Sequence, residues 1–255
     1  MPQLNFVKEG RGPTIVLSHA LGCDLGMWDE VARQLAPGFT VLRYDQRGHG
    51  QSEAVPGACT IEDLAHDAAG LIEREAEGEV HFVGISMGGL VAQQIAVSRP
   101  ELVNSIVVAN SSSYYDETFR GMWRSRIETA LNLGMTALSD AAIQRWFTPA
   151  FQGQPGAPER IRQLRQVLES MDPKVYVTCS EALSRIDFSG SNPLIACPAL
   201  VIAGTFDEAT PPSMSRVICN TISGAELATI DAAHLSAVER PEEFAGLVAG
   251  FINGI

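Results

Sequence analysis

Apolar positions along this chain come in two alternating kinds. Short, β-branched runs occur at 14–18, 39–44, 80–83, 102–109, 199–204 and 226–230. Between them, apolar residues recur at helical spacing. Trp28, Val31 and Leu35 share a face of 28–36. Leu90, Val91, Ala92, Ile95, Ala96 and Val97 follow Gly89. Phe244, Leu247, Val248, Phe251 and Ile252 share a face of 241–252. Continuous apolar runs fit parallel strands buried on both faces, and the longer spacing fits amphipathic helices. The alternation therefore predicts a parallel sheet with helices on both faces. Residues 3–8 read as a short edge strand. A further helix is predicted over 60–76, with Thr60 placed to cap it and Asp63 at the capping-box position. Another follows Pro211-Pro212 over 213–221, and Pro241 lies in the first turn of the last helix.

From 111 to 187 the pattern changes. No strand run appears, and helical spacing links Met122, Trp123, Ile127 and Leu131, then Leu138, Ala142, Ile143, Trp146 and Phe147, then Ile161, Leu164, Val167 and Leu168. A Pro/Gly-rich stretch, 148–158, separates them. The expected organisation is an α/β core formed by 1–110 and 188–255, with a helical cap, 111–187, inserted in it.

At 255 residues the chain suits one large domain carrying an insertion. The net charge of −12 argues against nucleic acid or an anionic membrane as partner. It also means that an anionic substrate would need a local cation. Cys23, Cys59, Cys179, Cys197 and Cys219 are odd in number and scattered, which reads as free thiols in a reducing compartment. The start of the chain shows no basic stretch followed by a long apolar run, and no apolar run reaches about 18 residues. A cytoplasmic location is expected. Oligomeric state is not readable from these features.

The chemistry gathers where strands end, because open parallel sheets bind ligands beyond the carboxyl ends of their strands. Polar residues at those ends are His19, Asp45, Ser86, Asn110, Asp207, Asp231 and His234. Ser86 lies in Gly84-Ile85-Ser86-Met87-Gly88, between a strand run and a helical run. That context makes a nucleophile elbow, with a strained serine at the apex of a turn too tight for flanking side chains. A serine nucleophile needs a base, and the base needs a partner that fixes its tautomer. His234 is the sole histidine C-terminal to Ser86. Asp207 ends the preceding strand and is the expected acid; Asp231, just ahead of His234, is its rival and reads as a turn former. Asn110 is an amide and cannot supply the carboxylate. Oxyanion donors are expected from the backbone N–H groups of Met87 and Leu21. His19 should brace the Leu21 loop, and the segment from Asp45 through Arg47 to Ser52 should tie down its neighbour through an internal ion pair. His66 and His81 read as a surface helix residue and a strand-flank residue. No phosphate-binding loop, dinucleotide fingerprint or metal-ligand spacing occurs, so neither cofactor nor metal is expected.

These residues resemble the α/β-hydrolase superfamily across nearly the whole chain, with Ser86, Asp207 and His234 in its usual order. More narrowly, the chain is similar to 3-oxoadipate enol-lactonases of aromatic catabolism, the β-ketoadipate pathway. The similarity is carried by Leu21-Gly22 with Asp24 and Met27-Trp28; by Leu42-Arg43-Tyr44-Asp45 with Arg47-Gly48-His49-Gly50; and by Ser86-Met87-Gly88-Gly89. It continues in Gly134-Met135 with Ala137-Leu138, in Arg145-Trp146-Phe147-Thr148, in Ala203-Gly204-Thr205 with Asp207, and in Ala233-His234-Leu235-Ser236 with Val238-Glu239. Two departures touch the site wall: His19-Ala20 replaces the usual Asn-Ser, and Cys23 stands where threonine is usual. The resemblance implies a serine hydrolase of a small carboxylic ester or lactone, with 3-oxoadipate enol-lactone foremost. Its free carboxylate would be met by a cap arginine, from Arg124, Arg126 and Arg145. Arg126, three residues after Trp123, is the expected ligand, although a solvated role is open to it. Trp123 and Trp146 would wall the pocket or pack the cap. A general carboxylesterase, a C–C bond hydrolase on a related acid, and a small-ligand receptor on the same fold are the alternatives.

Overall fold

The computed structural model describes residues 2–255; Met1, the first residue of the expected core, lies outside the described residues. Seven strands form one sheet: β1 (Phe6–Gly10), β2 (Thr14–Ser18), β3 (Thr40–Tyr44), β4 (Val80–Ile85), β5 (Val103–Ala109), β6 (Ala199–Gly204) and β7 (Glu226–Ile230). Their order is β1-β3-β2-β4-β5-β6-β7, and β1 alone runs antiparallel. Every residue of β2, β4 and β6 is buried, which requires cover on both faces of the sheet. That cover comes from α1 (Asp29–Leu35), α2 (Ile61–Glu75), α3 (Met87–Ser98), α9 (Pro212–Thr221) and α11 (Pro241–Asn253), with α1 packed on α11 and α2 on α3.

The edge strand lies three residues later than the sequence pattern suggests at its start. β3 extends only from 40 to 44, so its antiparallel partner can pair only from Phe6 to Gly10. Residues before it are held by other means: the Gln3 and Asn5 amides donate to Glu53 and Ser52 side chains. The predicted capping box is present, with Thr60 Oγ1 accepting from the Asp63 amide and Asp63 accepting from the Thr60 amide.

Between β5 and β6 the chain makes five helices: α4 (Glu117–Leu133), α5 (Thr136–Trp146), α6 (Pro149–Gln152), α7 (Ala157–Ser170) and α8 (Pro173–Ser184). An antiparallel bridge between Tyr114 and Asp187 brings the two ends of this insertion together. Two of its helices were not legible in the apolar pattern. The short α6 begins in the Pro/Gly-rich stretch, where the Thr148 hydroxyl caps the Phe151 amide and Pro149 occupies the first turn. In α8 the buried face is Tyr176, Cys179, Ser180 and Leu183, so polar atoms interrupt its apolar periodicity. No helix among the described residues is long and apolar enough to cross a membrane.

Candidate active site

β4 carries the chain into a turn at Ser86, whose backbone has φ 54° and ψ −115°, and α3 starts at the next residue. A serine held there is strained by the order of 1–3 kcal/mol, which surrounding contacts must offset. The Ser86 amide donates to the Ala109 carbonyl at 2.9 Å, and the Ser111 hydroxyl donates to the Ser86 carbonyl at 2.8 Å. Glycines let the elements pass. A Cβ on Gly84 would overlap the Gly88 carbonyl, and one on Gly88 would overlap the Ser18 carbonyl. Gly88→Ala is therefore expected to destabilise the fold by about 3 kcal/mol, seen as a lower urea midpoint at unchanged slope. An unaltered midpoint would mean that α3 shifts freely, contrary to its packing.

β6 and β7 are neighbours in the sheet, so their carboxyl ends deliver Asp207 and His234 to one place. His234 Nε2 lies 2.9 Å from Ser86 Oγ, and its Nδ1 lies 2.9 Å from Asp207 Oδ2. A carboxylate accepts only, so Nδ1 carries the proton and Nε2 presents its lone pair to the serine hydroxyl. Asp207 is buried, and burial pushes its carboxyl up. The His234 ring, the Thr210 amide and the Asn110 side chain outweigh that and hold it below its ordinary value. Asp207 also accepts from the Ala209 amide at 2.8 Å, the Thr210 amide at 2.9 Å and the Thr210 hydroxyl at 2.7 Å.

Asn110, set aside above as unable to be the acid, has a different place in this arrangement. Its φ of 44° turns its side chain back so that Nδ2 donates to Asp207 Oδ2 at 3.0 Å and to the Ala233 carbonyl at 3.2 Å. The buried Ser236 hydroxyl donates to Asn110 Oδ1 at 2.5 Å. The rival acid, Asp231, is exposed and accepts from the Thr205 hydroxyl.

The amides of Met87 and Leu21 have no backbone partners among the described residues. Met87 opens α3, where N–H groups are unpaired and carry the positive end of the helix dipole. Leu21 lies in a turn closed by the Cys23 amide donating to the Ala20 carbonyl at 3.1 Å. His19 braces that turn. Its Nε2 accepts from the Gln46 amide at 2.9 Å and its Nδ1 donates to the Ala20 carbonyl at 2.8 Å. Its own carbonyl accepts from the Gly88 amide and the Gln46 side chain, tying the turn to α3. Burial pushes the His19 ring down, so it stays neutral. Cys23 is buried and its thiol is pushed up by burial, then by Asp24, which leaves it an apolar wall.

The loop from Asp45 needs a correction: it contains no internal ion pair. Asp45 accepts from the Leu25 and Gln51 amides and the Asn5 side chain, whereas Arg47 pairs with Asp67 on α2 at 2.5 Å. Two residues apart on an irregular turn, the two side chains point to different neighbours. His66 is exposed as expected; His81 lies inside β4, buried, against the Ser105 hydroxyl at 2.8 Å.

The insertion closes over these strand ends. The His234 and Leu235 amides donate to the Arg145 and Trp146 carbonyls, and a Cβ on Gly22 would stand 2.7 Å from Leu168 Cδ1 and 3.7 Å from Trp146. Glu239, absent from the candidates above, clamps the junction. It lies in α10 (Ser236–Glu239) and accepts from the Ala233 amide at 2.7 Å and the Thr148 hydroxyl at 2.7 Å. Only the quoted Val238-Glu239 and Thr148 motifs hinted at it. Trp123 is buried with Tyr115 against its edge, and the Arg126 guanidinium stacks 4.8 Å from its ring centre.

The three candidate arginines of the cap separate here. Arg124 is exposed and paired with Glu117. Arg126 and Arg145 have no carboxylate within salt-bridge distance among the described residues. They are close enough to act on each other: Arg145 is pushed down to about 10 by burial and then by the Arg126 charge. Both also act on the buried Tyr176 hydroxyl, whose pKa burial raises. The buried Tyr115 hydroxyl, whose pKa burial raises, feels the charges of both Arg126 and Asp207. A cavity of about 740 Å³ bordered by Arg145, Phe147, Phe206, Asp231 and Glu239 flanks the junction without reaching Ser86. No cluster of three metal-ligating side chains occurs among the described residues.

The family described as the alpha/beta hydrolase fold matches residues 13–241. The 3-oxoadipate enol-lactonase 2 of Acinetobacter baylyi is 33% identical over 94% of this chain and 90% of its own. Among solved structures, the enol-lactonase from Burkholderia xenovorans LB400 matches with a TM-score of 0.93 at 35% identity, covering 99% of this chain and 97% of its own. A thermophilic esterase from Thermogutta terrifontis, with malate bound, matches with a TM-score of 0.90 at 28% identity, covering 99% and 94%.

Proposed function

The chain belongs to the α/β-hydrolase family and is a hydrolase, and from that premise we propose that it opens a small anionic lactone, 3-oxoadipate enol-lactone foremost, with Ser86 as nucleophile. The bonded row Ser86–His234–Asp207 supports the chemistry. His234 Nε2 takes the hydroxyl proton as Oγ adds to the lactone carbonyl, and Asp207 stabilises the imidazolium that forms. The Met87 and Leu21 amides receive the developing oxyanion. Collapse expels the ring oxygen as an enolate, a better leaving group than an alkoxide because its charge is delocalised; protonated at carbon, it becomes the ketone. Water, with His234 again as base, then hydrolyses the acyl-serine.

The substrate class rests on one observation: two neighbouring cap arginines, Arg126 and Arg145, lacking a carboxylate partner in a protein of net charge −12. Like charges repel, so the protein bears a cost that a carboxylate ligand would remove. The malate in the Thermogutta terrifontis esterase is a carboxylate of similar size. Steady-state kinetics with the enol-lactone and with neutral esters of equal length test this reading. Arg126→Ala and Arg145→Ala should each raise KM for the anion about 10- to 100-fold, while neutral esters change little. Equal effects on both classes would favour a general carboxylesterase.

A further inference from the structure

Apart from this site, Cys59 and Cys179 meet where the insertion rests on the core. Cys59 ends the loop that leads from β3 to α2, one residue before the Thr60 cap, and Cys179 lies on the buried face of α8. Both line a cavity of about 320 Å³ whose wall includes Arg47, Gly48 and Lys174. α8 packs directly on this loop: a Cβ on Gly48 would stand 2.6 Å from Val175 Cγ1. The two thiols border this cavity together and are close enough to act on each other, and the Cys59 S–H donates to the Thr60 carbonyl at 3.5 Å. The neighbouring Cys179 thiol, then the Arg47 charge, draws the Cys59 thiol below its ordinary value against burial, Asp63 and Asp67; the Cys179 thiol is pushed up by its Cys59 neighbour and by burial. Cys59 is half-buried and Cys179 buried. One thiol is thus the more accessible and the more easily ionised, and the other is buried beside it, the arrangement of an attacking and a resolving cysteine.

We propose that Cys59 and Cys179 form a peroxide-reactive dithiol site, whose disulfide joins the helical insertion to the sheet core. The Cys59 thiolate attacks one oxygen of a hydroperoxide. The O–O bond breaks, leaving a sulfenic acid and hydroxide (or alkoxide). That base takes the Cys179 proton, and the Cys179 sulfur attacks the sulfenyl sulfur. The S–O bond breaks as the S–S bond forms, and the sulfenyl oxygen leaves as water after protonation from solvent. Two thiols are oxidised and one peroxide is reduced. None of the cavity's wall residues belongs to the Ser86, His234 and Asp207 row. α8 also carries the buried Tyr176, on which Arg126 and Arg145 act.

The test exposes the folded protein to hydrogen peroxide near neutral pH, then blocks residual thiols and maps peptides. The expected result is joint loss of Cys59 and Cys179 in one linked peptide, reversed by dithiothreitol, roughly ten-fold faster than oxidation of Cys23, Cys197 or Cys219. Cys179→Ser should leave Cys59 as a sulfenic acid trapped by dimedone, and Cys59→Ser should leave Cys179 a thiol. Circular dichroism of each variant checks that it is folded. Two results would overturn the proposal: Cys59 and Cys179 surviving while other cysteines oxidise, or Cys59 in folded Cys179→Ser reacting no faster than Cys219.

Discussion

Ser86→Ala lowers kcat on the preferred ester by roughly 10⁴- to 10⁶-fold, equivalent to about 5–8 kcal/mol of transition-state stabilisation. The expectation follows from what the variant keeps. The Met87 and Leu21 amides, the proposed oxyanion donors, are untouched by the change, and His234 still presents Nε2, now without the Oγ that lies 2.9 Å from it. Only the covalent step is lost, so the residual rate should reflect binding and oxyanion stabilisation alone. The fold should be unaffected. Alanine meets the same steric cost as serine at φ 54°, and the bonds that secure the turn use the Ser86 backbone. A thermal midpoint within a few degrees of the parent would establish this. A chromogenic ester adds a second reading: the parent should show an acyl-enzyme burst, and the variant none. Retention of substantial turnover by folded Ser86→Ala would sink the nucleophile assignment and point to water activated directly by His234.

Much of this arrangement was legible because it is local. Residues 84–88 specify strand, turn and helix within a few positions, and Thr60 with Asp63 specify a helix start within four. The strand runs also located His234 and Asp207, because a parallel βα unit returns both to the same edge. What stayed hidden depends on contacts between distant segments. Asn110 could be excluded as an acid, yet nothing local says that a positive φ will turn its amide onto Asp207. Asp45 and Arg47 look like partners in sequence, but each finds a nearer neighbour once α2 is in place. Scattered cysteines became a pair only when α8, itself masked by Tyr, Cys and Ser on its buried face, packed on the loop before α2. Arg145 was one candidate arginine among three until Arg124 proved to be paired with Glu117.

Asp207→Asn is expected to lower kcat by about 10⁴-fold near neutral pH while leaving Ser86 and its flanking amides in place. The carboxylate accepts from the Ala209 and Thr210 amides, the Thr210 hydroxyl, Asn110 Nδ2 and His234 Nδ1. Every one of those groups is a donor. An amide presents one acceptor oxygen and one NH₂, so part of this ring must face a donor, and His234 is the group free to respond. By taking the tautomer protonated at Nε2 it accepts at Nδ1 and no longer accepts the Ser86 proton. Acid stability separates this account from simple damage. Asp207 is held below its ordinary carboxyl value, so in the parent its contribution is present above about pH 4 and is lost as pH falls through the lower native value. Asparagine does not titrate, so urea midpoints of the variant should fall less steeply than those of the parent below about pH 4. Asp231→Asn supplies the control. Its carboxylate is exposed and bonded to the Thr205 hydroxyl, so its removal should leave kcat close to that of the parent. If Asp231→Asn proved the more damaging of the two, the acid would have to be reassigned to Asp231, and the buried ring around Asp207 would then serve only to hold the loop.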